Sequence, residues 1–237
     1  MANDLQNKVA YITGGSKGIG LGIAKILLNN GMKVAISSRS IDAAKKAADS
    51  LSKEDGKVLA LESEVSSMAS EIEAVKAVMD HFGQLDVLVA NAGVGHFAPI
   101  DTLTEEAWRS TIDTNLTGVF NSVKASIDPL KLSQGYIITI ASLAGANFFE
   151  SAAAYNASKF GLVGFTQAVM LDLRKYGIKV STIMPGSVAT HFNNHVPNDA
   201  DAWKIQPEDI GQLVLDLLEM NPRTLPSKIE VRPSMPK

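Results

Sequence analysis

The sequence of 237 residues contains no cysteine, which excludes disulfide bonds and thiolate chemistry. It also lacks an excess of positive charge. Its formal net charge is −3, so we expect neither a nucleic acid nor an anionic membrane surface as a partner. The first residues, MANDLQNKVAYITGG, lack the charged and then apolar segments of a secretory signal. These absences predict a cytoplasmic protein with a small-molecule partner.

Long hydrophobic runs are absent as well. The longest nearly apolar stretch, YIITIASLAGANFF at 136–149, is interrupted by Thr139, Ser142 and Asn147 and is shorter than the ~20 residues that cross a bilayer. No linker, low-complexity tract or charge run divides the chain. With 46% hydrophobic and 20% charged residues, the composition is that of an ordinary globular protein. We therefore predict a single domain over residues 1–237 with no membrane-spanning segment.

Short apolar runs bounded by Gly, Asn, Asp or Ser recur along the chain. They are continuous rather than alternating, which is typical of strands buried on both faces of a parallel sheet. Segments with helical spacing lie between them. This alternation predicts an α/β Rossmann fold, a doubly wound parallel sheet of about seven strands with helices on both faces. The predicted strands are 9–13, 33–38, 58–62, 85–91, 136–142, 179–186 and 228–233, and the predicted helices are 19–29, 41–53, 67–82, 103–130, 152–176 and 207–220.

A glycine-rich turn joins the first predicted strand to the first predicted helix. Its glycines would let the backbone turn sharply and approach a pyrophosphate, which would lie over the free N–H groups of the helix N-terminus. A plain structural turn is the alternative, but the position at the first strand and helix favours a dinucleotide. The predicted cofactor-binding residues of the turn are Gly14, Ser16, Lys17, Gly18, Ile19 and Gly20.

The end of the second predicted strand indicates which dinucleotide is bound. NAD-binding units typically carry an acidic residue there, which holds the ribose 2′-hydroxyl. This chain has serines followed by Arg39, and a guanidinium suits a 2′-phosphate. Lys17 could add a second positive charge. We therefore predict NADP(H) as the cofactor, with a solvated surface arginine as the alternative interpretation.

Tyr155 and Lys159 lie four positions apart on a predicted helix, in the stretch AAAYNASKFGLVGF. Residues four apart share a helical face, so the Lys159 ammonium can approach the Tyr155 phenol. A nearby cation should lower the pKa of Tyr155 toward the working range, where the phenol could exchange a proton with a carbonyl oxygen. Ser142, at the end of a predicted strand, could fix that oxygen. A serine that only caps the following turn is the alternative.

Six short motifs follow one another along nearly the whole chain: TGGSKGIG (13–20), NAG (91–93), NLTG (115–118), IAS (140–142), YNASK (155–159) and PG (185–186). Their order and approximate spacing resemble those of the classical short-chain dehydrogenases/reductases.

The resemblance implies a role for each matching residue. Tyr155 would be the general acid/base, Lys159 would hold the nicotinamide ribose and lower the pKa of Tyr155, and Ser142 would orient the substrate carbonyl. Asn115 would kink a helix and hold a water molecule that links the lysine to solvent. Further cofactor contacts are implied for Glu64, which stands where the family often has Asp, and for Val65, Asn91, Ala92, Gly93, Pro185, Gly186, Val188 and Thr190.

Together, these features favour an NADP(H)-dependent oxidoreductase that transfers hydride between the nicotinamide and a ketone or secondary alcohol. Two alternatives stay open. One is a 3-oxoacyl-[acyl carrier protein] reductase of fatty-acid synthesis, although the ending LPSKIEVRPSMPK lacks the DGG sequence common in those enzymes. The other is a regulator that senses NADP(H) without turnover.

The resemblance also implies a homotetramer. Apolar side chains on the helical segments 103–130 and 152–176 exceed what one sheet face needs, so they are predicted to be exposed and to pair subunits. They include Val119, Phe120, Val123, Phe165, Val169 and Leu173.

The pocket walls are predicted to come from segments 94–100, 143–154 and 188–206. Their apolar side chains favour a small or medium ketone with an apolar substituent. The candidates are Leu143, Phe148, Phe149 and Phe192.

The remaining polar side chains give weaker indications. His191 and His195 are four apart, but without cysteine or a third ligand we predict no metal site. The roles of these two histidines and of His96 stay open. Two acidic pairs, Glu105 with Glu106 and Asp199 with Asp201, are predicted to be solvated.

Overall fold

The computed structural model describes residues 4–52, 54 and 56–235. Its centre is one sheet of seven parallel strands in the order β3-β2-β1-β4-β5-β6-β7. This confirms the predicted doubly wound parallel sheet. The strands are β1 (Val9–Ile12), β2 (Lys33–Ser38), β3 (Val58–Glu62), β4 (Val87–Ala90), β5 (Tyr136–Ile140), β6 (Lys179–Pro185) and β7 (Lys228–Val231).

Seven α-helices connect and flank the strands within the described residues. They are α1 (Gly18–Asn29), α2 (Ile41–Leu51), α3 (Met68–Phe82), α4 (Glu105–Ile112), α5 (Gly118–Ser133), α6 (Ala153–Leu173) and α7 (Pro207–Glu219). None of the helices in the described part of the chain is both long and apolar enough to cross a bilayer.

Alternate residues of the strands bury opposite faces of the sheet. In β1, Ala10 and Ile12 pack with α1 and α7, whereas Val9 and Tyr11 pack on the side of α3, α5 and α6. Both faces are therefore apolar, which explains why the strand sequences are continuous hydrophobic runs. Helices α1 and α7 approach closely at Gly22, where an added Cβ would lie 2.5 Å from the Pro207 carbonyl carbon.

The predicted boundaries differ from the structure at several ends. Strands β1, β4, β5 and β6 stop before the polar or glycine residues predicted to end them, because there the backbone leaves the sheet to form the loops of its carboxyl edge. The predicted helix 103–130 is wrong in detail. It begins at Glu105, because Thr104 caps it, continues past Pro129 to Ser133, and is interrupted by a π-helical turn, Asp113–Thr117.

Strand order reverses between β1 and β4, the neighbours at the centre of the sheet. In open α/β sheets, ligands bind in the crevice outside the carboxyl ends of the strands at such a switch point. The glycine-rich turn follows β1, and the 91–93 motif follows β4. The fold thus brings these two motifs to the same crevice.

Candidate active site

The glycine-rich turn needs its glycines for two different reasons. Gly14 and Gly18 have φ of 63° and 56°, a left-handed conformation that side chains disfavour. At Gly20 an added Cβ would lie 2.6 Å from the Asn91 Nδ2 atom, so the backbone is too close for a side chain. Asn91 Nδ2 donates to the carbonyls of Thr13 and Gly14, at 2.9 and 3.2 Å. The Asn91 amide therefore supports the turn directly.

The turn opens onto the N-terminus of α1. Lys17 is the N-cap residue, with an exposed side chain that makes no capping bond, so the first N–H groups of α1 have no side-chain partner within the described part of the chain. Free N–H groups at a helix start favour an anion. Ser16 and Ile19 lie in the same turn, and an added Cβ at Gly18 would reach the Thr190 side chain at 3.3 Å. The residues present therefore fit a dinucleotide pyrophosphate, with Thr190 beside it.

The carboxyl ends of β2 and β3 lie side by side. Arg39 follows β2 and is exposed, and neither Arg39 nor Lys17 belongs to any ion pair among the described residues. Glu64 Oε1 accepts hydrogen bonds from the backbone N–H and hydroxyl of Ser66, at 3.3 and 3.1 Å. Val65 is buried, and its carbonyl accepts from Asn121 Nδ2 at 2.8 Å. Arg39 at this corner and Lys17 in the glycine-rich turn are thus two cations without an ion-pair partner among the described residues.

Tyr155 and Ser142 meet where β5 ends and α6 begins. A hydrogen bond with Ser142 lowers the pKa of Tyr155, but burial of the phenol outweighs it, so the net pKa of Tyr155 is raised above its ordinary value. Ser142 Oγ also accepts from the Ala144 N–H at 3.1 Å, so Ser142 caps a turn as well as contacting the phenol. The turn-capping interpretation of Ser142 is therefore confirmed, while its role toward a substrate oxygen stays a prediction.

Lys159 lies one turn along α6 and is 5% exposed. Its Nζ donates to the Ile140 carbonyl at 3.0 Å and lies 5.7 Å from the centre of the Tyr155 ring. Burial lowers the pKa of Lys159 from 10.5 to about 8. The causes of the raised pKa of Tyr155 do not include Lys159, so a lowering of this pKa by Lys159 stays a prediction.

Asn115 lies in the π-helical turn between α4 and α5 and is fully buried. Its Oδ1 accepts from the Val94 N–H at 2.8 Å, and its Nδ2 donates to the Val94 carbonyl at 2.9 Å and to Ser158 Oγ at 3.1 Å. A π-helical turn inside a helix often marks a functional site. Asn115 thus joins α6 to the loop after β4. An added Cβ at Gly93 in that loop would lie 3.3 Å from Asn115 Oδ1 and 3.8 Å from Lys159 Nζ.

Two phenylalanine rings pack against Tyr155, and a third packs against one of them. The Phe97 and Phe192 ring centres lie 5.3 and 5.7 Å from the Tyr155 ring centre, and Phe149 lies 6.0 Å from Phe97. We call Phe97, Phe149 and Phe192 the aromatic cage. The sequence indicated Phe149 and Phe192 but missed Phe97, whose only signal is its position in segment 94–100. Phe148 is 86% exposed and does not contact Tyr155 in this cage, whereas Leu143 is half-buried near Gly186.

Segment 188–206 is held by contacts within itself and meets Tyr155 through the Phe192 ring. Val188 pairs with Ile205, and the Thr190 hydroxyl accepts from the Phe192 N–H at 3.3 Å. At its base, the Gly186 N–H donates to the Val231 carbonyl at 2.8 Å, directly after Pro185 ends β6.

Asp201 holds the far end of this segment. It is 5% exposed, so the prediction that it is solvated is wrong. Its two carboxylate oxygens bind Lys204 Nζ at 2.6 Å and His195 Nε2 at 2.5 Å, and these partners hold the pKa of Asp201 well below its usual range. The Lys204 ammonium and the His195 hydrogen bond explain why a carboxylate is tolerated there.

Two further histidines of the loops at this edge, His96 and His191, are exposed. His96 is exposed, with its Nε2 3.4 Å from Ser110 Oγ, and His191 is exposed in segment 188–206. The described residues contain no group of three His, Cys, Asp or Glu side chains suited to a metal ion.

Comparisons with known proteins agree with this arrangement. Residues 8–201 match the family model described as short chain dehydrogenase. The chain is 34% identical over 230 residues to the trans-4-hydroxycyclohexanecarboxylate dehydrogenase of Sinomonas cyclohexanicum, a match that covers 92% of this chain and 88% of that protein.

Two solved structures are also similar. An alcohol dehydrogenase from the archaeon Thermococcus sibiricus, complexed with 5-hydroxy-NADP, matches with a TM-score of 0.91 and 30% identity over 98% of this chain and 100% of its own. A metagenomic short-chain oxidoreductase in complex with NADP matches with a TM-score of 0.85 and 30% identity over 99% of this chain and 100% of its own. The fold, the motifs at the carboxyl edge of the sheet and these similarities establish that the chain is an oxidoreductase of the classical short-chain dehydrogenase/reductase family, which uses nicotinamide cofactors.

Proposed function

We propose that the protein is an NADP(H)-dependent carbonyl reductase and alcohol dehydrogenase acting on ketones and secondary alcohols. One observation carries the proposal. The Tyr155 phenol, bonded to Ser142 and one turn from the buried Lys159, lies inside the aromatic cage. A protein that only sensed the cofactor would need the glycine turn but not this set of side chains.

The side chains divide the chemistry between them. The bound cofactor supplies or accepts the hydride. Ser142 and Tyr155 hold the substrate oxygen, and the Tyr155 hydroxyl donates its proton to that oxygen during reduction. Because burial raises the pKa of Tyr155, the phenol is protonated at neutral pH and ready to donate. Alcohol oxidation needs the phenolate, so the oxidation rate should rise with pH.

The choice of NADP(H) rests on charge. Arg39 and Lys17 are exposed and have no carboxylate partner among the described residues, so they are free to bind a 2′-phosphate. The two solved relatives described above are complexes with NADP or a derivative of it. No carboxylate stands at the end of β2, where it would repel that phosphate.

The double substitution Ser38→Asp with Arg39→Ala should transfer the preference from NADPH to NADH. The wild type should favour NADPH in kcat/KM by about tenfold or more, since a charge-assisted contact is worth more than the ~1.4 kcal/mol that tenfold requires. The double variant should reverse this cofactor preference, mainly through a change in KM. Initial rates measured with each cofactor give both KM values.

Arg174→Ala is the matched control, because Arg174 is an exposed arginine at the far end of α6. It should leave the preference unchanged. A wild type that uses both cofactors equally, or a double variant that still prefers NADPH, would show that the 2′-phosphate is not recognised at Arg39.

The aromatic cage supports a ketone with an apolar, ring-shaped substituent. Phenyl rings offer apolar faces and edges but no charged partner, and they discriminate weakly between substituents of similar size. One similar protein is described as acting on an alicyclic alcohol. The proposal is tested by following NADPH consumption with cyclohexanones, aryl ketones, straight-chain ketones and a 3-oxoacyl thioester.

Each outcome of that panel has a distinct meaning. Turnover of the cyclic and aryl ketones supports the proposal. Exclusive turnover of the carrier-type thioester would instead favour a 3-oxoacyl-[acyl carrier protein] reductase. Tight NADPH binding without turnover of any ketone would favour a sensor.

We further propose that the protein is a homotetramer. Val119, Val123 and Leu173 were expected at a subunit contact, but they are buried in the core because their helices pack on the sheet. Phe120, Phe160 and Leu171 are 44%, 44% and 57% exposed on α5 and α6, and they support a subunit interface there. Sedimentation velocity at micromolar concentration should give the tetramer mass, and a stable monomer would contradict it.

A further inference from the structure

A polar cluster lies inside the sheet, away from Tyr155 and the substrate. It consists of Tyr11, Ser37, Ser63, Ser70 and Glu71, and we call it the Glu71 cluster. Glu71 projects from the first turn of α3 and is fully buried, and Tyr11 on β1 is fully buried as well. Most residues at such interior positions are apolar, because an unpaired buried carboxylate is costly.

The cluster is connected by hydrogen bonds from one strand to the next. Glu71 Oε1 accepts from the Tyr11 hydroxyl at 3.1 Å and from Ser63 Oγ at 2.5 Å. The Tyr11 hydroxyl also lies 3.2 Å from Ser37 Oγ. Burial and the Glu71 carboxylate raise the pKa of Tyr11 well above its ordinary value, so Tyr11 remains a phenol that can donate. The carboxylate therefore joins β1, β2 and the residue that follows β3.

The same residues hold the loops at the adenosine end of the crevice. The Ser37 carbonyl accepts from the Gly15 N–H of the glycine-rich turn at 3.0 Å. The Ser63 N–H donates to the Ser38 carbonyl at 2.9 Å, and Ser38 directly precedes Arg39. Ser70 Oγ, 3.2 Å from Ser63 Oγ, accepts from the Glu64 N–H at 3.0 Å. Each loop assigned to the adenosine half is thus one hydrogen bond away from the cluster.

The second carboxylate oxygen strengthens this interpretation. Glu71 Oε2 is buried and has no hydrogen-bond partner among the residues that the structure describes. A residue kept only for stability would be better replaced by an apolar side chain, since replacing a buried polar network by apolar groups is often neutral or stabilising. The network therefore carries a cost that core packing does not explain.

We infer that Glu71 is a positioning residue for the cofactor, which sets the relative positions of the Gly15, Arg39 and Glu64 loops through Tyr11, Ser37 and Ser63. The inference rests on the proposed binding of the adenosine half at this corner.

The test is the double variant Tyr11→Phe with Glu71→Leu, which replaces the polar centre by apolar groups of similar size. We expect it to fold, because the new side chains keep similar volumes, with a somewhat lower Tm, because the buried Ser37 and Ser63 hydroxyls lose these partners. Its Kd for 2′,5′-ADP and its KM for NADPH should each rise about fivefold to tenfold, which is the effect of losing one or two hydrogen bonds. Its kcat at saturating cofactor should stay within about twofold of the wild-type value. Glu71→Gln, which keeps an acceptor at Oε1, should restore most of the affinity.

Ser126→Ala is the control, because Ser126 Oγ is the other buried side-chain oxygen without a partner among the described residues, and it lies on α5. Ser126→Ala should change neither the Kd for 2′,5′-ADP nor the KM for NADPH. Binding of 2′,5′-ADP to the wild type and the double variant with equal Kd would overturn the inference alone. A wild type that binds neither 2′,5′-ADP nor 5′-ADP would overturn the adenosine assignment and this inference with it.

Discussion

Tyr155→Phe should lower kcat by about 10²- to 10⁴-fold, the usual contribution of a positioned general acid or base, while leaving the KM for NADPH within about twofold. The substitution removes only the hydroxyl that would donate the proton. The phenyl ring should remain in place, since Phe97 and Phe192 pack against it. Initial rates with a ketone from the panel, together with NADPH titration by fluorescence, measure both constants.

Tyr176→Phe is the matched control, because Tyr176 is exposed at the end of α6 and should tolerate loss of its hydroxyl without any change in rate. The melting temperature of Tyr155→Phe should fall by at most about 4 °C, the effect of about one hydrogen bond in a chain of this size. If kcat and NADPH affinity fall together in a folded variant, Tyr155 is not the proton donor.

Lys159→Met should lower both kcat and the affinity for NADPH, because the Lys159 ammonium would hold the nicotinamide ribose and would also lie beside the Tyr155 phenol. We expect at least about tenfold losses in kcat and in NADPH affinity. Met fills most of the lysine volume, so the core around α6 should stay packed. A kcat loss with unchanged NADPH affinity would show that Lys159 does not hold the cofactor.

The same substitution should change the pH dependence of stability. Burial lowers the pKa of Lys159 to about 8 in the folded state, against 10.5 for an ordinary lysine, so the unfolded chain binds the proton more tightly. Below pH 8 the wild type therefore folds with a buried, charged lysine, which lowers its free energy of unfolding. This destabilisation disappears as pH rises from about 8 to 10.5. Relative to Lys159→Met, wild-type stability should rise over this window, by on the order of 3 kcal/mol.

Urea unfolding of both proteins across that pH range measures the difference. Lys175→Met is the control, since Lys175 is exposed and should show no such pH-dependent difference. A Lys159→Met curve parallel to that of the wild type would mean that Lys159 titrates normally in the folded protein. Because this test needs no substrate, it separates the burial of Lys159 from its proposed catalytic role.

Local sequence patterns were sufficient to predict the sheet and to indicate the main residues of the candidate site. The apolar runs predicted all seven strands because a parallel sheet buries both faces, a requirement that each strand sequence must meet by itself. The motifs also predicted which residues would gather at the crevice. Gly14 and Tyr155 are far apart in the chain, but both follow from local rules, namely a strand-to-helix turn and a helical face.

Packing between distant segments decided the rest. Burial raises the pKa of Tyr155, and rings from two separate loops, Phe97 and Phe192, pack against it; no sequence spacing indicates how much water they exclude. Asp201 is buried only because His195 and Lys204 meet it. The sequence by itself determined the sheet, the glycine turn and the Tyr155 and Lys159 pair, since each depends on neighbours within a few residues. Only the tertiary structure decided the aromatic cage, the Glu71 cluster and the protonation of the site, because burial and hydrogen-bond partners come from residues far apart in the chain.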